Sequence, residues 1–161
     1  MKVRDVMTKQ TAFCGLDTNL ASAAEIMQKN NCGFLPVVGE GGNVVGVITD
    51  RDLCIALGTR DERPSEMLVR DVMLPKDRTF PALYVCTPDD QLRCVLKTMR
   101  AHKIRRLPVV DREGALQGVL SIDDLVLQAC EKAGREGISC QEVVETYRAI
   151  RRSRESRPVA A

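Results

Sequence analysis

The feature that most constrains this chain is an internal repeat. The pentapeptide VRDVM occurs at Val3–Met7 and again at Val69–Met73, 66 residues later. The segment Leu35–Val38 (LPVV) recurs as Leu107–Val110, at an offset of 72 residues. That second offset also relates further pairs: Gly46–Val47 and Gly118–Val119, Thr49 and Ser121, and Asp52–Leu53 and Asp124–Leu125. A repeat of this kind predicts two similar units that bury their apolar faces together.

The repeat sets the predicted organisation of the chain. We predict copy one over residues 1–66, copy two over 67–130 and a C-terminal helix and disordered tail over 131–161. The change of offset places six additional residues in copy two, and the stretch Leu74–Ala82 accommodates them.

The sequence of each copy predicts the element order β-α-β-β-α. The first strand is predicted at Thr11–Cys14 or Leu83–Cys86, and the N-cap of the helix that follows at Thr18 or at Asp89 or Asp90. That helix places apolar residues on one face, at Leu20, Ala23, Ala24 and Met27, or at Leu92, Val95, Leu96 and Met99. A hairpin comes next, with strands at LPVV and at Val44–Ile48 or Leu116–Leu120. The proline of LPVV lacks an N–H and is expected at a strand start or a sheet edge.

These elements predict a mixed α/β (α+β) fold. The last helix of each copy opens at Thr49 or Ser121. Aromatic residues make up only 3% of the chain and Trp is absent, so the core is expected to be aliphatic. A unit of about 60 residues buries little surface alone, and we therefore expect the copies to share a core.

The chemistry-bearing motif spans Gly46–Asp52 (GVITDRD) and Gly118–Asp124 (GVLSIDD). One interpretation is a capping box, in which Ser or Thr and an acid three residues later satisfy free N–H groups at a helix start. The other is a ligand site. A hydroxyl, a carboxylate and N–H groups at a helix N-terminus can hold a phosphate and a ribose, and a glycine without Cβ permits close approach.

The pattern VRDVM…LPVV…GV[I/L][T/S]xxDL resembles the CBS (cystathionine-β-synthase) domain family, whose members work in pairs called Bateman modules. The likeness covers residues 3–130 in both copies. It implies a pseudo-two-fold pair with clefts that bind AMP, ADP, ATP or related adenosyl ligands. It places phosphate and ribose contacts at Thr49 and Asp52 in one site, and at Ser121 and Asp124 in the other. Residues near Thr11–Phe13, including Ala12, and near Leu83–Val85, including Tyr84, are expected to flank the adenine, mainly through backbone and apolar contact.

The resemblance also implies that the sites are unequal. Copy two carries Ile104, Arg105 and Arg106 before its Leu-Pro, and in similar family members such basic residues reach ligand phosphates; an exposed basic turn is the alternative. Asp123 disfavours a polyphosphate there. Copy one has Asp50 and Arg51 inside its motif and Phe34 as a surface for a base. The single histidine, His102, is interpreted as a solvated polar residue or a pH-sensitive contact.

Composition argues against several other classes of function. Seven scattered cysteines without a C-x-x-C pair favour neither a metal site nor a disulfide framework, and Cys54 and Cys94 stand in apolar runs as candidate buried thiols. A net charge of +2 gives no reason to expect nucleic acid or a membrane as partner. The N-terminus lacks an apolar signal region, which predicts a cytoplasmic location.

The C-terminal extension predicts an amphipathic helix over Ser139–Ile150, with Ser139 as cap and Glu142 at the third helical position. This helix is expected to close against the module or against a second subunit.

Our leading hypothesis is a stand-alone regulatory module that binds an adenine nucleotide, requires no obligatory cofactor and modulates a separate partner protein. The alternative is a structural or interaction module without a ligand. An enzyme lacks support, because no nucleophile–base pair or phosphate-binding Gly-rich loop is evident. The apolar helix faces exceed what one pair needs to cover, so a homodimer is expected.

Overall fold

The computed structural model describes residues 1–73, 83–129 and 137–152 of the chain. Its helices are α1 (Leu20–Lys29), α2 (Asp50–Thr59), α3 (Val69–Met73), α4 (Leu92–His102), α5 (Ile122–Gln128) and α6 (Cys140–Arg152). Its strands are β1 (Cys14–Gly15), β2 (Phe34–Val38), β3 (Val44–Thr49), β4 (Arg106–Val110) and β5 (Leu116–Ser121). The predicted mixed α/β fold is therefore confirmed, and the order β-α-β-β-α forms in copy one, whereas the described part of copy two has no first strand. The predicted insertion at Leu74–Ala82 and the tail beyond Arg152 lie outside the described residues.

The hairpins form as predicted, whereas the first strand of each copy is shorter than predicted. β2 pairs antiparallel with β3, from Phe34 opposite Thr49 to Val38 opposite Val44. The predicted strand Thr11–Cys14 is reduced to β1, which pairs with β2 only at Val37 and Val38. Parallel pairing stops where Pro36 would have to supply an N–H. Pro36 thus lies inside the central strand, and not at a strand start or sheet edge as expected.

The second copy repeats this arrangement. β4 pairs with β5, and the predicted strand Leu83–Cys86 is reduced to one parallel bridge, between Cys86 and Val109. The Cys86 N–H donates to the carbonyl of Pro108 at 3.0 Å. The proline has no N–H, but its carbonyl oxygen still takes part in the pairing.

The helix faces follow the predicted spacing, but the predicted N-caps are wrong. Seven of the eight predicted apolar positions in α1 and α4 are buried, Ala24 being exposed. α1 is capped by Asn19, whose side chain accepts from the Ser22 N–H at 2.8 Å, and α4 begins after Gln91 without a side-chain cap. Thr18 instead accepts from the Gly15 N–H, and Asp90 from the Thr87 N–H. Both side chains stabilise the turn that precedes the helix.

The chain folds as two compact units. One comprises Gln10–Tyr84 and Val110–Leu116; we call it the Thr49 unit. The other comprises Met1–Lys9, Val85–Val109 and the chain from Gln117 onward; we call it the Ser121 unit. The units differ from the sequence repeats, because each contains the VRDVM segment of the other repeat. The boundaries of the repeats themselves stay a prediction.

We call the two VRDVM segments exchanged, because each lies in the unit formed mainly by the other repeat. Equivalent hydrogen bonds hold them in place. In the Thr49 unit, the Val69 N–H donates to the Thr18 carbonyl at 2.9 Å, and Arg70 forms an ion pair with Asp17. In the Ser121 unit, the Val3 N–H donates to the Asp90 carbonyl at 2.9 Å. There the ion pair joins Arg4 to Asp89.

The C-terminal helix α6 packs on α4 and α5 within the Ser121 unit. The predicted cap is confirmed: the Ser139 hydroxyl donates to the Glu142 carboxylate at 2.9 Å, and the Glu142 N–H donates back at 3.1 Å. Val143 and Ile150 are buried as the amphipathic pattern predicts. Within the described ranges, no helix has both the length and the apolar character needed to cross a membrane.

The cysteines only partly match the prediction of buried thiols. Cys14 and Cys86 are buried, whereas Cys54 and Cys94 are exposed. Their helices turn other residues inward, such as Leu53 in α2 and Val95 in α4, whereas Cys54 and Cys94 fall outside the buried face of each helix.

Candidate ligand sites at the starts of α2 and α5

The Thr49 motif forms a complete capping box at the start of α2. The N–H and the hydroxyl of Thr49 both donate to Oδ2 of Asp52, at 2.9 and 2.6 Å. The Asp52 N–H donates to the Thr49 hydroxyl oxygen at 3.3 Å. The first of the two interpretations of this motif is therefore confirmed for copy one.

The Ser121 motif forms the same box at the start of α5. The N–H and the hydroxyl of Ser121 donate to Oδ2 of Asp124 at 2.7 and 2.8 Å, and the Asp124 N–H donates back at 3.1 Å. These four cap residues are half-buried, so a solute can still reach them.

Capping leaves part of each carboxylate available. In both boxes the protein donors meet at Oδ2, and within the described part of the chain no hydrogen bond reaches Oδ1 of Asp52 or Asp124. An ionised carboxylate accepts at both oxygens, so Oδ1 retains its full capacity for hydroxyl donors. The capping and ligand-binding interpretations are thus compatible in geometry.

The motif glycines have a role that sequence reasoning missed. A Cβ on Gly118 would collide with the backbone carbonyl of Thr8, which pairs with β5 through the Val119 N–H at 3.0 Å. A Cβ on Gly46 would collide with the terminal methyl of Met73. Both glycines admit a segment at or next to an exchanged VRDVM sequence. The close approach that they permit is therefore to the protein itself, and not to a ligand as expected.

Around the Thr49 site the surface is open and acidic. The Asp50 carboxylate lies against Gly33, where a Cβ would stand 2.8 Å from its Cγ, and the Asp50 N–H donates to the Gly33 carbonyl at 3.3 Å. Asp50 and Arg51 are exposed. Phe34 is only 8% exposed in β2 and has little ring surface left for a base.

The same unit contains an open cavity of about 460 Å³. Its lining includes the predicted range Thr11–Phe13 together with Gln10 and Asn30, which no motif identified. Phe13, 55% exposed, is the aromatic ring that this cavity offers. Tyr84 is half-buried in this unit and is not among the lining residues.

Around the Ser121 site the matching positions are filled differently. Arg105 replaces Gly33, and its carbonyl accepts from the Ile122 N–H at 2.9 Å. Ile122 replaces Asp50 and is fully buried. Ile104, Arg105 and Arg106 are half-buried, whereas Asp123 is exposed. The basic residues of copy two thus adjoin the Ser121 box, and the unequal ligand preference of the two sites stays a prediction.

The described ranges contain no group of three or more His, Cys, Asp or Glu side chains able to hold a metal ion. His102, the last residue of α4, is exposed.

Comparison with known proteins agrees with this geometry. The CBS domain model matches residues 3–59 and 69–129, more than half of the chain. The chain is 34% identical over 136 residues to the uncharacterized protein YlbB of Bacillus subtilis, covering 83% of this chain and 86% of that protein. It is 30% identical over 123 residues to a homoserine O-acetyltransferase of Methanococcoides burtonii; the match covers 76% of this chain but only 23% of the enzyme.

Solved structures share the fold. The CBS domain pair of protein MJ0100, in complex with 5′-methylthioadenosine and S-adenosyl-L-methionine, superposes with a TM-score of 0.65 at 25% identity, covering 79% of this chain and 94% of that one. A CBS pair is a regulatory and not a catalytic module. The duplicated motif, the two capping boxes and these matches show that the chain belongs to the CBS domain family as a tandem pair.

Proposed function

We propose that this chain is a ligand-sensing regulatory module that binds an adenine nucleotide, or a related adenosyl ligand, beside the capping boxes of α2 and α5. The observation that carries the proposal is Oδ1 of Asp52 and of Asp124, which accepts from no described donor and lies next to a helix N-terminus. Vicinal ribose hydroxyls donate to such a carboxylate oxygen, and helix N–H groups favour a phosphate. The adenosyl ligands of the MJ0100 pair support this ligand class.

The Thr49 site is proposed to hold the base against its open cavity. Phe13 provides an exposed ring and Ala12 an apolar backbone segment, which suit a flat aromatic base. Arg51, in the first turn of α2, is proposed to approach the phosphate, with Thr49 and Asp52 near the sugar.

The Ser121 site is proposed to favour a ligand with few negative charges. Arg105 and Arg106 attract a phosphate, whereas Asp123 and the box carboxylate of Asp124 repel additional ones. AMP or an uncharged adenosyl compound fits this balance better than ATP.

Asparagine substitution separates ligand binding from capping. In Asp52→Asn and Asp124→Asn the amide oxygen can still accept from the cap residue, but the second oxygen is replaced by an N–H₂ group that cannot accept from a ribose hydroxyl. We expect each variant to weaken AMP binding at its own site about tenfold in isothermal titration calorimetry, while the fold persists. Asp61→Asn, an equal charge change on an exposed residue, is the matched control.

The outcome also decides between sensor and structural module. If AMP, ATP and S-adenosylmethionine all give no heat and no thermal shift with the unmodified chain, the module is structural and the sensor proposal fails. Phosphate release from ATP is expected at background level, since we propose regulation of a separate protein without catalysis.

Homodimer formation is part of the proposal. Large apolar side chains are exposed on α2 and α5, with Ile55 at 51% and Leu127 at 82% exposure. Such patches favour association. Light scattering is expected to give twice the chain mass, and Ile55→Glu with Leu127→Glu to give the monomer; a monomer before substitution would contradict dimerisation.

A further inference from the structure

Arg105 is a half-buried cation with an unsatisfied donor. Its Nε is fully buried and has no hydrogen-bond partner among the described residues. In the described part of the chain, the guanidinium makes no ion pair, and its interaction is with the ring of Tyr147, 5.7 Å from the centroid. Because Nε is enclosed, an anion can approach Arg105 only at the other N–H donors of the half-buried guanidinium, and the position of that group relative to the Tyr147 ring decides where they lie.

Tyr147 belongs to α6, which follows the CBS repeats in the sequence and lies outside the family match. Its neighbour Thr146 is completely buried and accepts from Nη2 of Arg100 at 3.2 Å. Arg93 Nε lies 3.2 Å from the Glu142 carboxylate. These α4 side chains fix the register of α6, and with it the position of the Tyr147 ring.

The cap of α6 strengthens this attachment. The Ser139 backbone N–H, followed by the Ser139 hydroxyl and the two α4 arginines, holds the pKa of Glu142 below its usual range, against a smaller opposing effect of burial. Glu142 therefore stays ionised and paired at neutral pH.

The guanidinium carbon of Arg105 lies over the ring of Tyr147. An arginine stacked on a ring keeps its N–H donors at the edge, where carboxylates and phosphates bind. The ring and an anion can therefore occupy Arg105 together. The backbone of Arg105 is fixed independently by the Ile122 N–H, in the first turn of α5 beside the Ser121 box.

We propose that Tyr147 is a positioning residue for Arg105, and that α6 thereby forms part of the phosphate-binding side of the Ser121 site. This inference rests on the proposed function and concerns how ligand binding at the Ser121 site is regulated. An event that detaches α6 lowers the affinity of this site for phosphate-bearing ligands. By linkage, ligand binding stabilises the docked helix.

The test measures AMP and adenosine binding by calorimetry in Asp52→Asn protein, where the Ser121 site dominates. Tyr147→Ala is expected to weaken AMP binding about fivefold and to leave adenosine binding unchanged, because the ring acts through the phosphate contact. Tyr147→Phe, which retains a ring, is expected to keep the original affinity. Val144→Ala, at an exposed position of the same helix, is the matched control.

A double-mutant cycle isolates the role of Arg105. In an Arg105→Ala background, Tyr147→Ala is expected to cause no further loss of AMP affinity. An equal loss in both backgrounds, an equal loss for adenosine, or tighter AMP binding without the ring would overturn the inference.

A spectroscopic readout follows the same contact. The chain has two tyrosines, so 3-fluorotyrosine labelling gives two ¹⁹F signals, and Tyr147→Phe assigns them. We expect AMP, but not adenosine, to shift the Tyr147 signal, and Arg105→Ala to abolish that shift. If AMP binds without shifting it, the inference fails while the proposed function stands; if no nucleotide binds at all, both fail.

Discussion

The Thr49 site and the Ser121 site have the same capping box in different surroundings. In the Thr49 site the position before the hairpin is Gly33, and the exposed Asp50 carboxylate lies over it. In the Ser121 site the corresponding residues are Arg105 and the buried Ile122. The local hydrogen-bond pattern was thus retained in both copies while the side chains beside it changed. A duplicated motif maintains the helix start while the residues around it diverge.

The glycine positions give the largest expected difference between the units. Gly118→Ala forces a Cβ against the Thr8 backbone, which cannot rotate away, so we expect a loss of about 2–3 kcal/mol in the free energy of unfolding. Gly46→Ala meets the flexible end of Met73, and we expect a loss of about 1 kcal/mol or less. Urea unfolding measures both.

Gly41→Ala is the control for these variants, because a Cβ there meets nothing within 4 Å. Equal losses in Gly46→Ala and Gly118→Ala would show that the two exchanged segments are held alike.

The buried thiols Cys14 and Cys86 give the next comparison. Burial raises the pKa of Cys14 to about 11; burial, followed by the charge of Asp90, raises the pKa of Cys86 to about 12. Thr18 holds the position of Asp90 in copy one and accepts an equivalent turn hydrogen bond. Asp90→Thr is therefore expected to lower the pKa of Cys86 and to speed its alkylation on the order of tenfold at alkaline pH.

The pH dependence of stability follows from the direction in which the two cysteine pKa values are shifted. Both pKa values are raised above the ordinary 9.0, so the neutral thiols contribute full stability below pH 9.0, and this contribution is lost as pH rises through about 11 and 12. Mass spectrometry after alkylation locates the modified residues, with the exposed Cys54, Cys94 and Cys140 as internal controls. An unchanged rate at Cys86 would exclude the charge of Asp90 as a cause.

Removal of the cap hydroxyl tests whether the boxes are equivalent. Thr49→Ala and Ser121→Ala each remove the acceptor of one helical N–H, and we expect each to lower the free energy of unfolding by about 1 kcal/mol. A clearly larger loss in one unit, measured by urea unfolding, would contradict equivalent capping.

The smallest expected effect concerns the turn after α1 and α4. Asn31 and Lys103 occupy the same repeat position with φ of 48° and 57°, in the left-handed region that asparagine tolerates better than lysine. We expect Lys103→Asn to stabilise the protein by about 0.5 kcal/mol and Asn31→Lys to destabilise it by a similar amount. The shift in the urea midpoint at constant slope measures this difference, and shifts of the same sign in both variants would contradict it.

The sequence by itself determined the features that depend on neighbouring residues. The repeat offsets located the hairpins, and the spacing of Leu20, Ala23 and Met27 identified a buried helix face. The capping boxes at Thr49 and Ser121 were predictable because their partners lie three residues apart. The sequence did not decide which of two adjacent residues caps a helix. Asn19 was missed beside Thr18, because the two differ only in which turn their side chains close.

Only the tertiary structure decided which distant segments meet. It paired each VRDVM segment with the body of the other repeat, gave the motif glycines their packing role, buried Phe34 and placed Tyr147 on Arg105. The physical reason is that such contacts join residues tens of positions apart, where chain spacing no longer restricts direction. Each is selected by shape and burial across the whole core, and not by local geometry.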